Sequence, residues 1–322
     1  MQTSKPATTR ALKLAASLLA VALIPACGQS AGSPQEETTT ATQASPGYPI
    51  TVEDSVGREV QIDERPDSIA SMAPSVTETL FEVGAGERVT GVTTADDYPP
   101  EVKEIETVGD YRQPNQEKLI ALDTDLLFIS FDYSTRSEAE ELEETTGADV
   151  VVVNPKTVDE AIDSIGLVGE AVGNPEKAAD AEQALRAELE SIREKVSGEP
   201  RPTVFYEVYS DPLQTAGPGS FIHDAIRLAG GKNVAADTGE AYPTYSQEKL
   251  IEEDPDHYLY GSLSGSTAGD IGDREAYSSL DAVEEGNVTE INDDLISRPG
   301  PRIVDGVRQI AAALHPQQFE KE

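Results

Sequence analysis

The chain has 322 residues, and its 60 Asp and Glu against 24 Lys and Arg give a formal net charge of −36 at pH 7. Such a surface repels nucleic acid and anionic lipid headgroups, which are therefore excluded as electrostatic partners. The single cysteine excludes a disulfide or a cysteine-based zinc site within the chain. The acidity itself indicates salt adaptation or a need for solubility rather than an acidic active site.

Residues 1–26 are predicted to be a lipoprotein signal peptide. Three basic residues precede an apolar stretch over residues 14–24, which is too short to span a bilayer as a stable helix. Small residues then lead to Cys27, the predicted lipidation site. Residues 27–47 are rich in Ser, Thr, Gln, Gly and Pro and predict a flexible tether. The expected location is extracytoplasmic, with the chain held at the cell membrane only through its lipid.

Residues 48–173 are predicted to form an N-terminal α/β lobe. A hairpin is predicted over residues 51–62, where apolar and polar residues alternate around a glycine turn. Ser75 and Glu78 have the spacing of a capping box that opens a helix. Continuous apolar runs are typical of strands buried on both faces of a parallel sheet. Strands are predicted at residues 69–72, 89–92, 126–129 and 150–153.

Residues 174–198 are predicted to form a long connecting helix. Asn174 is a candidate N-cap, Pro175 occupies the favoured first helical position, and Gly198 can close the C-terminal end. One apolar stripe recurs at spacings of three or four: Ala178, Ala181, Leu185, Leu189, Ile192 and Val196. The position of this helix favours a rigid connector between lobes. The alternative is an ordinary surface helix of one large domain.

Residues 199–322 are predicted to form a second α/β lobe. A strand over residues 204–208 is followed by a helix over 221–229, and a last helix is predicted over 301–314. Further strands are predicted near Tyr258 and over residues 288–291. The alternation of strands and helices is the same as in the first half.

The pentapeptide Gln-Glu-Lys-Leu-Ile occurs twice, at residues 116–120 and 247–251. Each copy follows a capping residue and precedes an acidic break and an apolar run. The same cap–helix–turn–strand unit in both halves predicts two similar lobes with a binding site between them. The helix dipole alone would also favour Glu117 and Glu248 at the second helical position.

Several segments resemble the substrate-binding lipoproteins of cobalamin and iron-siderophore ABC importers. They are residues 51–60, 73–78, 97–100, 115–120, 215–221, 230–233 and 298–302. The resemblance implies an α/β fold of two Rossmann-like lobes joined by a single long backbone helix, with the ligand between the lobes. It also implies a monomer, not an enzyme, that works with an ABC permease dimer and its ATPase.

The resemblance assigns roles to individual residues. Tyr98, Tyr111 and Tyr242 take positions of aromatic ligand contacts, and Arg298 takes that of a cleft arginine. Glu117 and Glu248 take the places of two glutamates, one from each lobe, that dock onto arginines of the permease. Paired acidic groups of this kind suit a permease with twofold symmetry.

Residues 91–100 and 298–303 most resemble cobalamin-binding members of this family. The expected ligand is therefore a cobalt corrinoid, a flat ring that needs aromatic walls and scattered hydrogen-bonding groups. The chain departs from that pattern because it has no Trp, and Ala95 and Ser130 stand where aromatic contacts are expected. No cofactor or protein-held metal is predicted, since the three histidines share no metal-ligand spacing.

Other functions remain open at this point. A ferric siderophore would use Arg112, Arg298 and Arg302 to hold its negative charge, and haem would need arginines and an axial ligand. An enzyme or a structural surface lipoprotein is the alternative from a different class. The sequence contains no phosphate-binding loop, metalloprotease motif or complete dinucleotide fingerprint that would favour an enzyme.

Overall fold

The computed structural model describes residues 47–110, 112–130 and 135–319. Tyr111, Cys27, the predicted signal peptide and nearly all of the predicted tether lie outside the described residues. The chain from Gly47 onward belongs to one compact unit. Within that unit two predominantly parallel five-stranded sheets lie one after the other along the chain.

The first lobe contains a hairpin and a parallel sheet with helices around it. Its sheet has the strand order β5-β4-β3-β6-β7, and the hairpin is formed by β1 and β2. The elements are β1 (Ile50–Glu53), β2 (Glu59–Ile62), β3 (Ile69–Ser71), α1 (Pro74–Glu82), β4 (Val89–Val92), β5 (Glu106–Thr107), α2 (Gln116–Ala121), β6 (Leu126–Ile129), α3 (Arg136–Thr146), β7 (Asp149–Val152) and α4 (Val158–Ala171). The predicted hairpin and strands are confirmed within a residue or two.

The predicted capping box at Ser75 is wrong. Helix α1 begins at Pro74, with Ala73 in the N-cap position and no side-chain cap hydrogen bond. The proline starts the helix one residue early because its φ angle is already helical. Ser75 is thereby placed inside the helix, and the carboxylate of Glu78 pairs with a guanidinium of the second lobe instead.

The long helix α5 (Pro175–Val196) is confirmed and joins two hydrophobic cores. Ala178 packs into the core of the first lobe, whereas Leu189 and Ile192 pack into the core of the second. Leu185 contacts both. Asn174 precedes the helix, but its side chain does not cap it, because the amide donates to the Val83 carbonyl at 2.8 Å.

Helix α4 lies against α5 and spans the same two cores, which the sequence did not indicate. Its first turns, with Val158 and Ile162, belong to the core of the second lobe, and Ile165 and Val168 belong to that of the first. A methyl group at Gly169 would collide with the side chain of Ala178, so the glycine permits close contact between the helices. The connection between lobes is therefore a pair of packed helices.

The second lobe repeats the parallel arrangement. Its sheet has the order β10-β8-β11-β12, and β9 pairs antiparallel with β8. The elements are β8 (Thr203–Ser210), β9 (Leu213–Thr215), α6 (Phe221–Leu228), β10 (Lys232–Asn233), α7 (Gln247–Glu253), β11 (His257–Tyr260), α8 (Ala268–Gly272), α9 (Asp281–Glu284), β12 (Val288–Glu290), α10 (Asp293–Ser297), α11 (Ile303–Leu314) and α12 (Pro316–Phe319). No helix among the described residues is both long and apolar enough to cross a membrane.

The two copies of the pentapeptide have matching local structure. Asn115 Oδ1 accepts from the Lys118 amide at 3.1 Å and caps α2, as Ser246 Oγ caps α7 by accepting from the Lys249 amide at 3.0 Å. Leu119 and Leu250 are the buried residues of the two helices. The capping prediction is therefore confirmed in both copies.

The match continues beyond the pentapeptide into the acidic break. Asp123 and Asp254 both adopt left-handed backbone angles, with φ of 47° and 39°. Two residues later, the Asp125 carboxylate accepts from the Ser68 amide at 2.9 Å, and the Asp256 carboxylate accepts from the Thr203 amide at 2.6 Å. In each lobe an aspartate thus fixes the start of the neighbouring strand, so the repeated unit is longer than five residues.

Asp149, at the start of β7, is expected to make stability depend on pH. Burial raises the pKa of this carboxyl to about 6, and neighbouring carboxylates, Glu143 first, add to the rise. A raised pKa means that ionisation destabilises the fold. The penalty is small at pH 4, builds between the ordinary pKa of 3.8 and the folded-state pKa of about 6, and stays constant at higher pH. We expect Asp149→Asn to increase the free energy of unfolding by about 1 kcal/mol at pH 8, a value reduced for partial exposure.

Thermal unfolding at pH 4, 6 and 8 checks this expectation. Asp180→Asn, at an exposed position on α5, serves as the control and should change the melting temperature little at any pH. A gain from Asp149→Asn that is equal at all three pH values would contradict the explanation.

Candidate ligand-binding cleft

The lobes meet where chain segments follow the carboxyl ends of their strands, the usual place for ligands in parallel α/β sheets. In the first lobe this segment is residues 93–98 after β4. In the second it is α10 and residues 298–302 after β12. A methyl group at Gly300 would lie only 2.9 Å from the Ser75 carbonyl oxygen, so the two lobes are in close contact at this point.

Arg302 of the second lobe forms a bidentate ion pair with Glu78 of the first lobe. Its Nε and Nη2 lie 2.7 and 2.5 Å from the two carboxylate oxygens. The side chain of Glu78 is only 2% exposed, so water contributes little to its solvation. The hydrogen bond to Glu78 raises the pKa of Arg302 above its ordinary value.

Arg298 is held by carboxylates from both lobes. Its Nη1 lies 2.6 Å from Asp97 of the first lobe, and its Nη2 lies 2.9 Å from Asp294 on α10. Glu78 is also near, at 3.5 Å from Nη1. Burial acts to lower the pKa of Arg298, but the Asp97 hydrogen bond and the Asp294 charge outweigh it and raise the pKa. The same hydrogen bond lowers the pKa of Asp97.

Tyr98 lies beside these ion pairs. The Arg302 guanidinium carbon is 4.1 Å from the centre of its ring, a cation–π distance, and 45% of Tyr98 remains exposed. The structure therefore brings Tyr98 and Arg298, two of the predicted site residues, to one place between the lobes. Their contact with a ligand stays a prediction.

Tyr242, the third predicted aromatic residue, is also 45% exposed and lies in the second lobe. It is near Tyr206, whose pKa is raised first by burial, then by Asp293, and further by Tyr242. The Tyr206 hydroxyl donates to Asp293 Oδ1 at 3.0 Å. Tyr111, the remaining predicted aromatic contact, is outside the described residues.

Three further residues, which lie within or shortly after strands of the second lobe, were not singled out from the sequence: Tyr206, Asp293 and Leu263. A usable signal existed for Asp293, because it is an acidic residue shortly after a strand, at the carboxyl edge of a parallel sheet. Tyr206 lies within an apolar strand, where its hydroxyl gives no separate signal. Leu263 belongs to a Ser- and Gly-rich segment, where a single apolar side chain gives no separate signal.

Glu117 and Glu248 are exposed residues in the first turns of α2 and α7. Neither forms an ion pair with another residue that the structure describes, whereas the lysines beside them do. Lys118 Nζ lies 2.5 Å from Glu106, and Lys249 Nζ lies 3.3 Å from Asp237. The glutamates are thus presented outward in equivalent settings. Within the described ranges no three His, Cys, Asp or Glu side chains are grouped to hold a metal ion.

Removing one partner of the Glu78–Arg302 pair should be strongly destabilising. Arg302→Met would leave a buried carboxylate without its main partner, so we expect the free energy of unfolding to fall by about 3 kcal/mol. Glu78→Met combined with Arg302→Met removes both charges and should recover most of that loss. Urea denaturation measures both changes.

Arg186→Met provides the control, since Arg186 pairs with Asp163 on an exposed surface. This variant should lose less than about 1 kcal/mol. Equal losses for Arg186→Met and Arg302→Met would show that the inter-lobe pair is no stronger than a surface pair.

Comparison with known proteins agrees with the two-lobed fold described above. A sequence profile of the periplasmic binding protein family matches residues 69–295. An uncharacterized ABC transporter substrate-binding lipoprotein of Bacillus subtilis is 32% identical over 315 residues, which are 95% of this chain and 98% of that protein. A cobalamin-binding protein of Halobacterium salinarum is 29% identical over 308 residues, 92% of this chain and 82% of that protein.

Among solved structures, the periplasmic vitamin B12-binding protein of Vibrio cholerae superposes with a TM-score of 0.70 at 28% identity. The match covers 79% of this chain and 99% of that one. The likeness thus extends over both lobes and the helices between them. The chain belongs to the periplasmic binding protein family, whose members bind substrates for ABC importers and do not convert them.

Proposed function

We propose that this protein captures cobalamin or a related corrinoid between its lobes and delivers it to the permease of an ABC importer. The names of the Halobacterium and Vibrio relatives support a corrinoid, and so do the exposed rings of Tyr98 and Tyr242. The observation that carries the proposal is the charge balance around Arg298 and Arg302.

Both arginines at the meeting point of the lobes are already paired. Arg302 is paired with Glu78, and Arg298 with Asp97 and Asp294, so three carboxylates surround two guanidinium groups. An anionic chelate would have to displace a carboxylate and would meet the remaining negative charge. A corrin fringed with neutral amides can hydrogen-bond to these polar groups without breaking an ion pair, and its flat faces suit tyrosine rings.

The competing ligands, an anionic ferric siderophore or haem, are distinguished by direct titration. The purified protein is mixed with cyanocobalamin, cobinamide, haem and a ferric hydroxamate, and visible absorbance retained after desalting is measured. We expect cyanocobalamin to be retained at one per chain. Its Kd should change less than about threefold between 0.1 and 1 M NaCl, because no new ion pair forms.

The variant Asp97→Asn tests whether the paired carboxylates disfavour anionic ligands. It frees one side of Arg298, so it should strengthen haem binding relative to wild type and leave cyanocobalamin binding within a few-fold. Retention of haem or the ferric chelate but not of cyanocobalamin would refute the corrinoid assignment. A steep fall of cyanocobalamin affinity with salt would refute the charge argument.

The proposed partners are an ABC permease dimer and its ATPase, met outside the cytoplasm. Cys27 would carry the lipid that holds the monomer at the membrane, and residues 27–47 would let the lobes reach the permease. Glu117 and Glu248 would dock onto arginines of the two permease subunits. Exposed ion pairs add little affinity singly, but a pair of them sets orientation.

We expect Glu117→Arg combined with Glu248→Arg to abolish uptake of labelled cyanocobalamin in cells that carry the permease, because two attractive contacts become repulsive. The affinity of the purified variant for cyanocobalamin should be unchanged within about twofold. The control is Glu144→Arg with Glu194→Arg, an equal charge change at exposed positions on α3 and α5. Lost ligand affinity in the first variant would place these glutamates in the binding site instead.

A further inference from the structure

The loop over residues 261–266, directly after β11, has Leu263 as its most exposed apolar side chain. Leu263 is 69% exposed, more than any other large apolar residue that the structure describes. Isolated exposed leucines are common on protein surfaces and need no explanation. What distinguishes Leu263 is the set of bonds that fixes the loop around it.

The start of the loop is fixed by the carboxylate of Asp293. Its Oδ2 accepts from the Leu263 amide at 2.7 Å and from the Ser262 hydroxyl at 2.9 Å. Its Oδ1 accepts from the Tyr206 hydroxyl at 3.0 Å. A Cβ atom at Gly261 would lie 1.7 Å from Asp293 Oδ1, so any side chain there would displace this carboxylate from the loop.

The end of the loop is fixed by a buried ionic network. The Ser266 hydroxyl donates to Glu207 Oε1 at 2.5 Å, and Glu207 is completely buried on β8. Arg274 forms an ion pair with Glu207 and donates to Ser266 Oγ at 2.5 Å. The Tyr258 hydroxyl supplies a further bond to Glu207 at 2.5 Å. Leu263 therefore lies on a loop that is held at both ends.

Asp293 also links this loop to the meeting point of the lobes. It is the first residue of α10, and the helix ends at Ser297, next to Arg298. Arg298 in turn contacts Asp97 of the first lobe. The loop with Leu263 and the segment with Arg298 thus both follow the carboxyl ends of neighbouring strands, β11 and β12, and Arg298 contacts the first lobe there.

We infer that Leu263 is a specificity-determining apolar contact for the ligand and that Asp293 is its positioning residue. The inference rests on the proposed function and identifies the part of the ligand involved, the apolar face or methyl-bearing edge of a flat chelate. A side chain on a loop already ordered by its own hydrogen bonds loses little further entropy on binding. It can therefore convert buried apolar area into affinity efficiently.

Leu263→Ala should weaken cyanocobalamin binding about tenfold, the effect expected when most of a leucine side chain loses a buried contact. Leu263→Met should stay within about twofold, because it retains apolar volume. Ile120→Ala is the matched control, since Ile120 is 51% exposed on α2, away from the loop, and its loss should leave the Kd unchanged. Unchanged affinity in Leu263→Ala, or an equal loss in Ile120→Ala, would overturn the inference.

A double-mutant cycle tests the positioning role of Asp293. Asp293→Ala should weaken binding in the wild-type background but add little in the Leu263→Ala background, because it acts through Leu263. Additive effects would overturn that role. Hydrogen exchange adds a readout independent of ligand, in which the Leu263 amide should lose protection in Asp293→Ala.

Failure of the proposed function would appear separately in these measurements. A wild-type protein that retains no cyanocobalamin refutes the corrinoid proposal, whatever the variants do. Leu263→Ala and Ile120→Ala are then compared on haem or the ferric hydroxamate, whichever the wild type retains. A selective loss in Leu263→Ala would support its role as a ligand contact, and equal binding by the two variants would refute it.

Discussion

The relative placement of the two lobes depends on the packing of α4 against α5. Each helix contributes to both hydrophobic cores, so neither core can move without disturbing the other through this contact. The closest approach, Gly169 against Ala178, leaves no space for even one additional methyl group. Because well-packed interiors do not deform continuously, the packed pair of helices α4 and α5 should permit only small changes in the angle between the lobes. Such limited movement would suit the large, rigid ligand proposed above.

The ion pairs between the lobes, Glu78–Arg302 and Asp97–Arg298, involve a different energetic trade-off from this helix packing. Burying Glu78 costs desolvation energy, which the two hydrogen bonds from Arg302 offset. The chain has a net charge of −36, so its own carboxylates compete with external anions for the arginines in the cleft. Here Asp97 and Asp294 do reach Arg298. The site can thus keep hydrogen-bonding donors without carrying a net positive charge.

The sequence predicts much of this fold because local signals and tertiary structure agree in most elements. The helix from Pro175 was recognisable from its first-turn proline and apolar stripe, and the strand over residues 126–129 from its continuous apolar run. Predictions fell short where a distant partner decides the outcome. Ser75 and Glu78 have cap spacing, but Arg302, 224 residues further on, takes the glutamate. The bridging role of α4 was likewise invisible, because periodicity shows that a face is buried and not which core covers it.

The duplicated segments separate structural residues from those that face outward. In both lobes the cap residue, the buried leucine, the left-handed aspartate and the strand-fixing aspartate each have an intramolecular task. Glu117 and Glu248 recur at the same helical position without an ion-pair partner among the described residues. The helix dipole favours a glutamate there by only about 0.3–1 kcal/mol, and the two helices are short. A residue that appears twice in equivalent exposed settings, with so little to contribute inside the molecule, supports the proposed docking onto a symmetric partner.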